Sequence, residues 1–227
     1  MGSHDLLLER LLRDLELDGY RVEEHWIGSY GGLLSLMMGD ADVAGIHLLD
    51  PATMEYNAPV VREMFPAGEV ALVRGYEREV GWVFRKETDF HEEGLLRGEF
   101  ALANRNRGSG TRILIDRLLS KLAAESGVRP VDIRRSVRGY GREYSTHTAT
   151  CRAVAEGRAD VTVSIRPVAA LYGLEFRTIG WERYDFVLRE GAPKKPIEAL
   201  LRLIRGLPGK ISIPGYRIPE DAGQRVL

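Results

Sequence analysis

With 227 residues, 44% of them apolar and 29% charged, the chain has the composition of a soluble globular protein. It is long enough for one large domain or two smaller lobes with real cores. A net charge of −1 gives no basic field to draw nucleic acid or an anionic membrane. The single cysteine, Cys151, excludes an internal disulfide and any multi-cysteine zinc site, and no apolar run approaches the roughly 18 residues of a membrane span.

The opening MGSHDLLLER lacks the basic and apolar regions of a signal peptide, so the expected location is the cytoplasm. Leu7, Leu8, Leu11, Leu12 and Leu15 then recur at helical spacing, and Ser3 or Asp5 can cap that helix. YRVEEHWIGS (20–29) reads as a strand, GGLLSLMMG as a short helix ended by Gly39, and ADVAGIHLL as a buried strand. A third helix is expected around 55–65, followed by two strands, EVALVRGY and EVGWVFR. EFALANR is a further strand that runs into a glycine-rich loop and a helix over 110–126. Late in the chain RYDFVLRE reads as a strand and PIEALLRLIRGL as a helix, and the tail, rich in proline and glycine, is expected to wrap the surface.

A weak internal echo organises these elements. MGDADVAGI (38–46) and EGRADVTVSI (156–165) each carry a helix end, Gly-x-Ala-Asp-Val and an apolar strand. The ordinary explanation is a reused helix–glycine–strand turn; the sharper one is two similar α/β lobes in tandem. Strand-like text near 79–85 and 180–188 flanks the second copy and would carry the chain across. Lobe 1 is then 1–79 plus 186–227 and lobe 2 is 80–185.

The chemistry sits in the loops. In NRNRGSGTRILIDRLL (104–119), glycines allow close backbone approach, the helix start offers unpaired N–H groups and partial positive charge, and Ser109 and Thr111 add hydroxyls. The competing reading is a plain helix cap with solvated arginines. Gly2-Ser3-His4, Gly28-Ser29 and Ser145-Thr146-His147 place similar groups at other helix starts. In an open α/β sheet such loops gather at the carboxyl ends of the strands, where ligands bind. The Lys of a phosphate-binding P-loop and the Gly-x-Ser-x-Gly of an esterase are both missing, and His4, His47 and His147 match no zinc spacing, so neither catalysis nor a metal is expected.

GSHD, GSYGGLLSLMMGDADVAGIHLLDPATMEYN, NRNRGSGTRILID, YSTHTATCRAVAEGRADVTVSIRPVA and ERYDFVL together resemble the type II periplasmic-binding-protein-like domain. That domain is often joined to molybdenum-cofactor biosynthesis proteins or to DNA-binding regulators, and is related to molybdate- and tungstate-binding proteins. The resemblance implies a two-lobe, hinged α/β fold with an anion clamped between lobes. On it, Ser3, His4 and Ser29 fall on the first binding loops, Ser109, Gly110 and Thr111 on the far one with Arg107 beside it, and Thr146 and His147 on a Thr-His pair. His47 also falls in a family motif. The family normally has a strand before Gly-Ser-His, and here only Met1 precedes it.

The resulting expectation is a non-enzymatic binding module for molybdate or tungstate, acting as sensor, store or delivery module. It needs no cofactor beyond the bound oxyanion. Its partner would be a molybdenum-cofactor enzyme or a separate regulator, with neither nucleic acid nor membrane involved. The alternatives are an accessory module of a molybdenum-cofactor insertion enzyme and a binder of a small organic acid or phosphorylated metabolite. Tyr30, beside Ser29, belongs to the ligand-binding set, and with Tyr56 and Trp82 would supply the aromatic lining an organic ligand needs.

Overall fold

A computed structural model describes residues 1–227. In chain order the elements are α1 (Leu6–Leu17), α2 (Gly28–Met38), β1 (Val43–Ile46), α3 (Ala58–Met64), β2 (Val70–Phe84), α4 (Glu93–Leu96), β3 (Asn104–Arg105) and α5 (Gly110–Glu125). After a 3-10 turn at Pro130–Asp132 come α6 (Ile133–Ser136), β4 (Glu143–Tyr144), α7 (His147–Ala155), β5 (Val161–Ile165), α8 (Arg166–Leu171), β6 (Glu175–Arg189), α9 (Lys194–Arg205) and β7 (Tyr216–Arg217). The chain divides into two compact units, Met1–Arg78 with Trp181–Leu227, and Glu79–Gly180. β2 and β6, 15 residues each, run through the two boundaries.

In the first unit the strand order is β1-β6-β2, with β7 also on β2. β1 pairs antiparallel with β6 from Val43↔Leu188 to Ile46↔Asp185. The chain start lies beside β1: Gly2 bridges in parallel to both Gly45 and Trp26, and the Met1 ammonium donates to the Val43 carbonyl at 2.8 Å. This segment is tight. Gly2 has φ of +139°, a Cβ on it would sit 2.6 Å from the Gly45 oxygen, and a Cβ on Gly32 would sit 2.8 Å from Gly2 Cα. The strand expected over 20–29 does not form; only Trp26 makes a bridge, because the charged Arg21, Glu23 and Glu24 stay at the surface.

Asp5, not Ser3, caps α1, accepting from the Leu7 and Leu8 amides. The buried stripe Leu7, Leu8, Leu11, Leu15 then packs on α9 and on Tyr76, Tyr184 and Phe186. At about 1.5–3 kcal/mol per fully buried large side chain, that stripe is a main stabilising term of the unit. The tail does more than wrap: β7 pairs with β2, and the Val226 amide donates to Leu72. The two strands expected around 69–76 and 79–85 are one, because Arg78 between them is buried by ion pairs with Asp5 and Glu182 instead of turning out to water.

In the second unit β2 pairs antiparallel with β5 from Val80↔Ile165 to Phe84↔Val161. β3 pairs in parallel with β4, and Leu102 bridges in parallel to Val161. The run 101–105 therefore lies between β4 and β5. Its expected strand is regular only at Asn104 and Arg105. The core here is Trp82, Phe90, Leu95, Ile115, Leu119 and Val163, with smaller residues such as Ala103 and Ala153 behind.

Candidate functional site

The carboxyl ends of the parallel strands organise the second unit. β3 leads to α5, β4 to α7 and β5 to α8, so the α5 and α7 starts are neighbours. Ser109 is the cap of α5, its Oγ accepting from the Arg112 amide at 3.2 Å, and Thr146 is the cap of α7, accepting from the Ala149 amide at 3.0 Å. Ser109, Gly110, Thr111 and His147 are all buried. Thr111 is wholly buried, and its Oγ1 has no hydrogen-bond partner. His147 Nδ1 lies 3.1 Å from Ser164 Oγ at the end of β5.

Of the three arginines around the loop, Arg107 is the exposed one, 74% open to solvent and paired with Glu143. Arg105 and Arg112 are buried. Arg105 donates to the carbonyls of Tyr144 and Ser145, tying the two helix starts together, and Arg112 donates to the Arg105 carbonyl and to Glu143 and Asp116. Sequence reasoning picked Arg107 for its place beside Gly108 and passed over Arg105. Strand alternation in ALANR does not single it out, because Asn104 and Arg105, on opposite faces, are both buried. Cys151, in α7, is buried, and burial pushes its thiol up to about 12 despite hydrogen bonds from Ser164 and Thr150 and the charge of Arg105.

The first unit has its own polar centre. Ser3 Oγ is 2.7 Å from His47 Nε2, and His47 Nδ1 is 3.0 Å from Glu182 Oε2. Glu182 also takes Arg78 Nε at 2.6 Å, and Arg78 reaches Asp5 Oδ2 at 3.0 Å and the His4 carbonyl at 3.1 Å. Burial alone would raise the Glu182 carboxyl, but the charges of Arg78 and His47 outweigh it and hold it at about 2. Tyr76 and Tyr216 both donate to Asp5, and burial with that neighbouring charge pushes both phenols up.

The remaining expected residues fall as follows. Ser29 is buried in the first turn of α2 but is not its cap; its Oγ accepts the His47 amide at 3.2 Å. Ser3, Ser29 and His47 are thus brought together. His4 points elsewhere, onto Glu9 at 2.9 Å with its ring edge against Trp26. Tyr30 is exposed on α2. Trp82, considered as ligand lining, is core, 1% exposed and packed on Phe90. A cavity of about 370 Å³ in this unit is lined by Tyr56, Arg62, Arg74, Trp181 and Glu182 among others; it takes in Tyr56 of the expected aromatic lining but none of Ser3, His4, Ser29 and Tyr30. No helix is long and apolar enough to cross a membrane.

Two α/β units joined by long strands, with hydroxyl-bearing helix starts at strand ends, define a ligand-binding domain of the two-lobe, type II periplasmic-binding-protein fold, a class built for binding and not for catalysis. The sequence matches the model of the PBP superfamily domain over residues 12–205, and the chain belongs to that family. The uncharacterized protein YvgK of Bacillus subtilis (strain 168) is 29% identical over 209 residues, covering 89% of this chain and 62% of the relative. The chain therefore spans less than two thirds of that relative's length. Among solved structures, the regulatory domain of MetR, a LysR family regulator from N. meningitidis, is similar at a TM-score of 0.58 and 15% identity, over 94% of this chain and 92% of that one. A binding protein component of an ABC phosphonate transporter from Pseudomonas aeruginosa is similar at a TM-score of 0.51 and 16% identity, over 88% of this chain and 69% of that one. At these identities the two structures share the fold alone.

Proposed function

We propose that the chain binds a small oxyanion, with molybdate or tungstate favoured, and serves as sensor, store or delivery module for it. The observation that carries this reading is Thr111. A hydroxyl that is fully buried without a partner, in the first turn of a 16-residue helix, stands where the helix offers free N–H groups and positive potential. Burying an unpaired hydroxyl costs about 1–3 kcal/mol, and a bound anion would remove that cost. The adjoining start of α7 and the buried guanidinium of Arg105 add to the same positive field. The similar phosphonate-transporter component is in keeping with an oxyanion. In the same reading the ligand passes to a molybdenum-cofactor enzyme or a separate regulator.

Thermal melts with millimolar molybdate, tungstate, sulfate and phosphate test this. A ligand at about a hundred times its Kd stabilises the folded state by about 2.7 kcal/mol, which for a chain of this size raises Tm by about 5–10 °C. Molybdate or tungstate should give that shift and sulfate and phosphate less. Equal shifts would mean a general anion site. No shift with any of them would turn the assignment toward a small organic acid.

A further inference from the structure

We propose that the chain forms a two-fold symmetric dimer in which α2 packs against α2 of a second copy. Over 11 residues α2 has no charged side chain, and its only side-chain polar groups are the hydroxyls of Ser29, Tyr30 and Ser35. A helix that is apolar on every side belongs inside a core. α2 has a core on one side only. Gly28, Ser29, Gly32, Leu33 and Leu36 are buried, while Ile27, Tyr30, Leu34, Met37 and Met38 stand 37% to 76% open to solvent. Those exposed positions recur at helical spacing and form one face. Gly31 belongs to it, since a Cβ there would lie 3.1 Å from Ile27 Cγ1.

Charge, shape and area all select a second copy as the cover. The face offers no charge for a charged partner to meet, and no like charges repel when it meets itself. Its shape is self-complementary through Gly31. Glycine in mid-helix weakens the helix relative to alanine. At Gly32 the fold requires it, because a Cβ would press on Gly2 Cα at 2.8 Å. At Gly31 the nearest atoms a Cβ would meet belong to the Ile27 side chain, itself 40% exposed and able to shift, so the rest of the chain does not demand glycine there. A glycine among protruding side chains leaves a hollow. In an antiparallel pair Leu34 of each copy fills the hollow over Gly31 of the other, and two-fold symmetry makes the exchange reciprocal. The same orientation turns the exposed Asp40, just past the C-cap Gly39, toward the positive start of the other helix. The five exposed side chains present on the order of 500 Å² per copy, at the upper end of what a monomer shows in one patch. Two copies together would bury on the order of 1,000 Å², the scale at which a specific interface begins.

Sedimentation velocity of the full chain across micromolar concentrations tests this, with circular dichroism to show that each variant is folded. The wild type should sediment as a dimer at the high end and dissociate on dilution, and its Tm should rise with concentration. Leu34→Glu places a charge at the centre of the face and should weaken the dimer about thirtyfold or more, as the loss of a central anchor does. Gly31→Ala should act in two directions. At concentrations where the chain is monomeric its Tm should be higher than that of the wild type, because alanine favours the helix, yet its dimer should be about tenfold weaker or more, because the hollow is filled. Leu171→Glu, at an exposed leucine of α8 in the other unit, should leave the dimer unchanged. A wild type that stays monomeric throughout overturns the proposal and leaves the face to a partner of another kind. A dimer that survives Leu34→Glu overturns it too, since the copies would then meet elsewhere. A dimer as tight in Gly31→Ala as in the wild type overturns the packing of Leu34 on Gly31, and the proposal with it.

Discussion

At the residue scale, the strongest contrast is between Thr111 and Arg107. Thr111→Val removes a buried hydroxyl that has no partner and keeps the side chain's shape. Its Tm should therefore be unchanged or higher than wild type, while affinity for the oxyanion falls by at least about tenfold, the loss of one hydrogen bond to a charged group. Differential scanning calorimetry and titration calorimetry on the same preparation read the two quantities. A drop in Tm with unchanged affinity would make Thr111 a packing residue. Arg107→Ala, at an exposed side chain, should shift stability by no more than about 0.5 kcal/mol, and any loss of affinity should shrink in high salt. The sequence pointed to Ser109, Thr111 and Thr146 through their place at helix starts, a local signal. Arg105 and Glu182 were not legible in this way. Their burial depends on partners 40 and 104 positions away, Ser145 and Arg78, and no local pattern announces a charged side chain whose compensation lies so far along the chain.

At the element scale, Ser109 both caps α5 and belongs to the proposed binding loop, and the two roles separate by substitution. Ser109→Ala should cost about 1 kcal/mol through loss of the cap to the Arg112 amide, and Ser109→Gly only a few tenths, as glycine is tolerated at that position. Oxyanion affinity should fall alike in both. Chemical denaturation and titration of the pair check this, and affinities that follow the stabilities would show a helix cap and nothing more. The first unit offers a second case. Gly32 sits where any Cβ would press on Gly2, so Gly32→Ala should destabilise the protein by about 1–3 kcal/mol by prising α2 from the chain start that carries Ser3. Longer helices such as α1 and α9 and the Ala-Asp-Val strands could be read from the sequence pattern, while the short α4, α6 and α8 were not expected. The 15-residue strands could not, because β2 and β6 hold polar residues such as Arg78 and Glu182 in mid-strand, and these look like turns until their ion pair is seen. The segment 20–29 misled in the other direction: its alternation suits a strand, but it forms only the Trp26 bridge to Gly2.

At the scale of the whole molecule, Glu182 sets an acid limit. Its folded-state carboxyl lies at about 2, below the ordinary value of 4.5, so it contributes stability that is fully present above about pH 4.5 and lost as pH falls toward about 2. Acid unfolding of Glu182→Gln should be shallower over that window than that of the wild type, and identical slopes would contradict the assignment. Cys151 reports on the second unit. Its thiol is buried and pushed up to about 12, so a disulfide reagent near neutral pH should react only as fast as the protein opens, and ligand should slow it further. The claim on which the rest depends is that the folded chain holds a small oxyanion at the start of α5. Titration calorimetry of molybdate and tungstate into wild type and Thr111→Val tests it most directly. The account predicts saturable binding to one site in the wild type and a loss of at least about tenfold in the variant. Equal affinity in the two proteins, or no heat from either anion where a small carboxylic acid saturates, would contradict it.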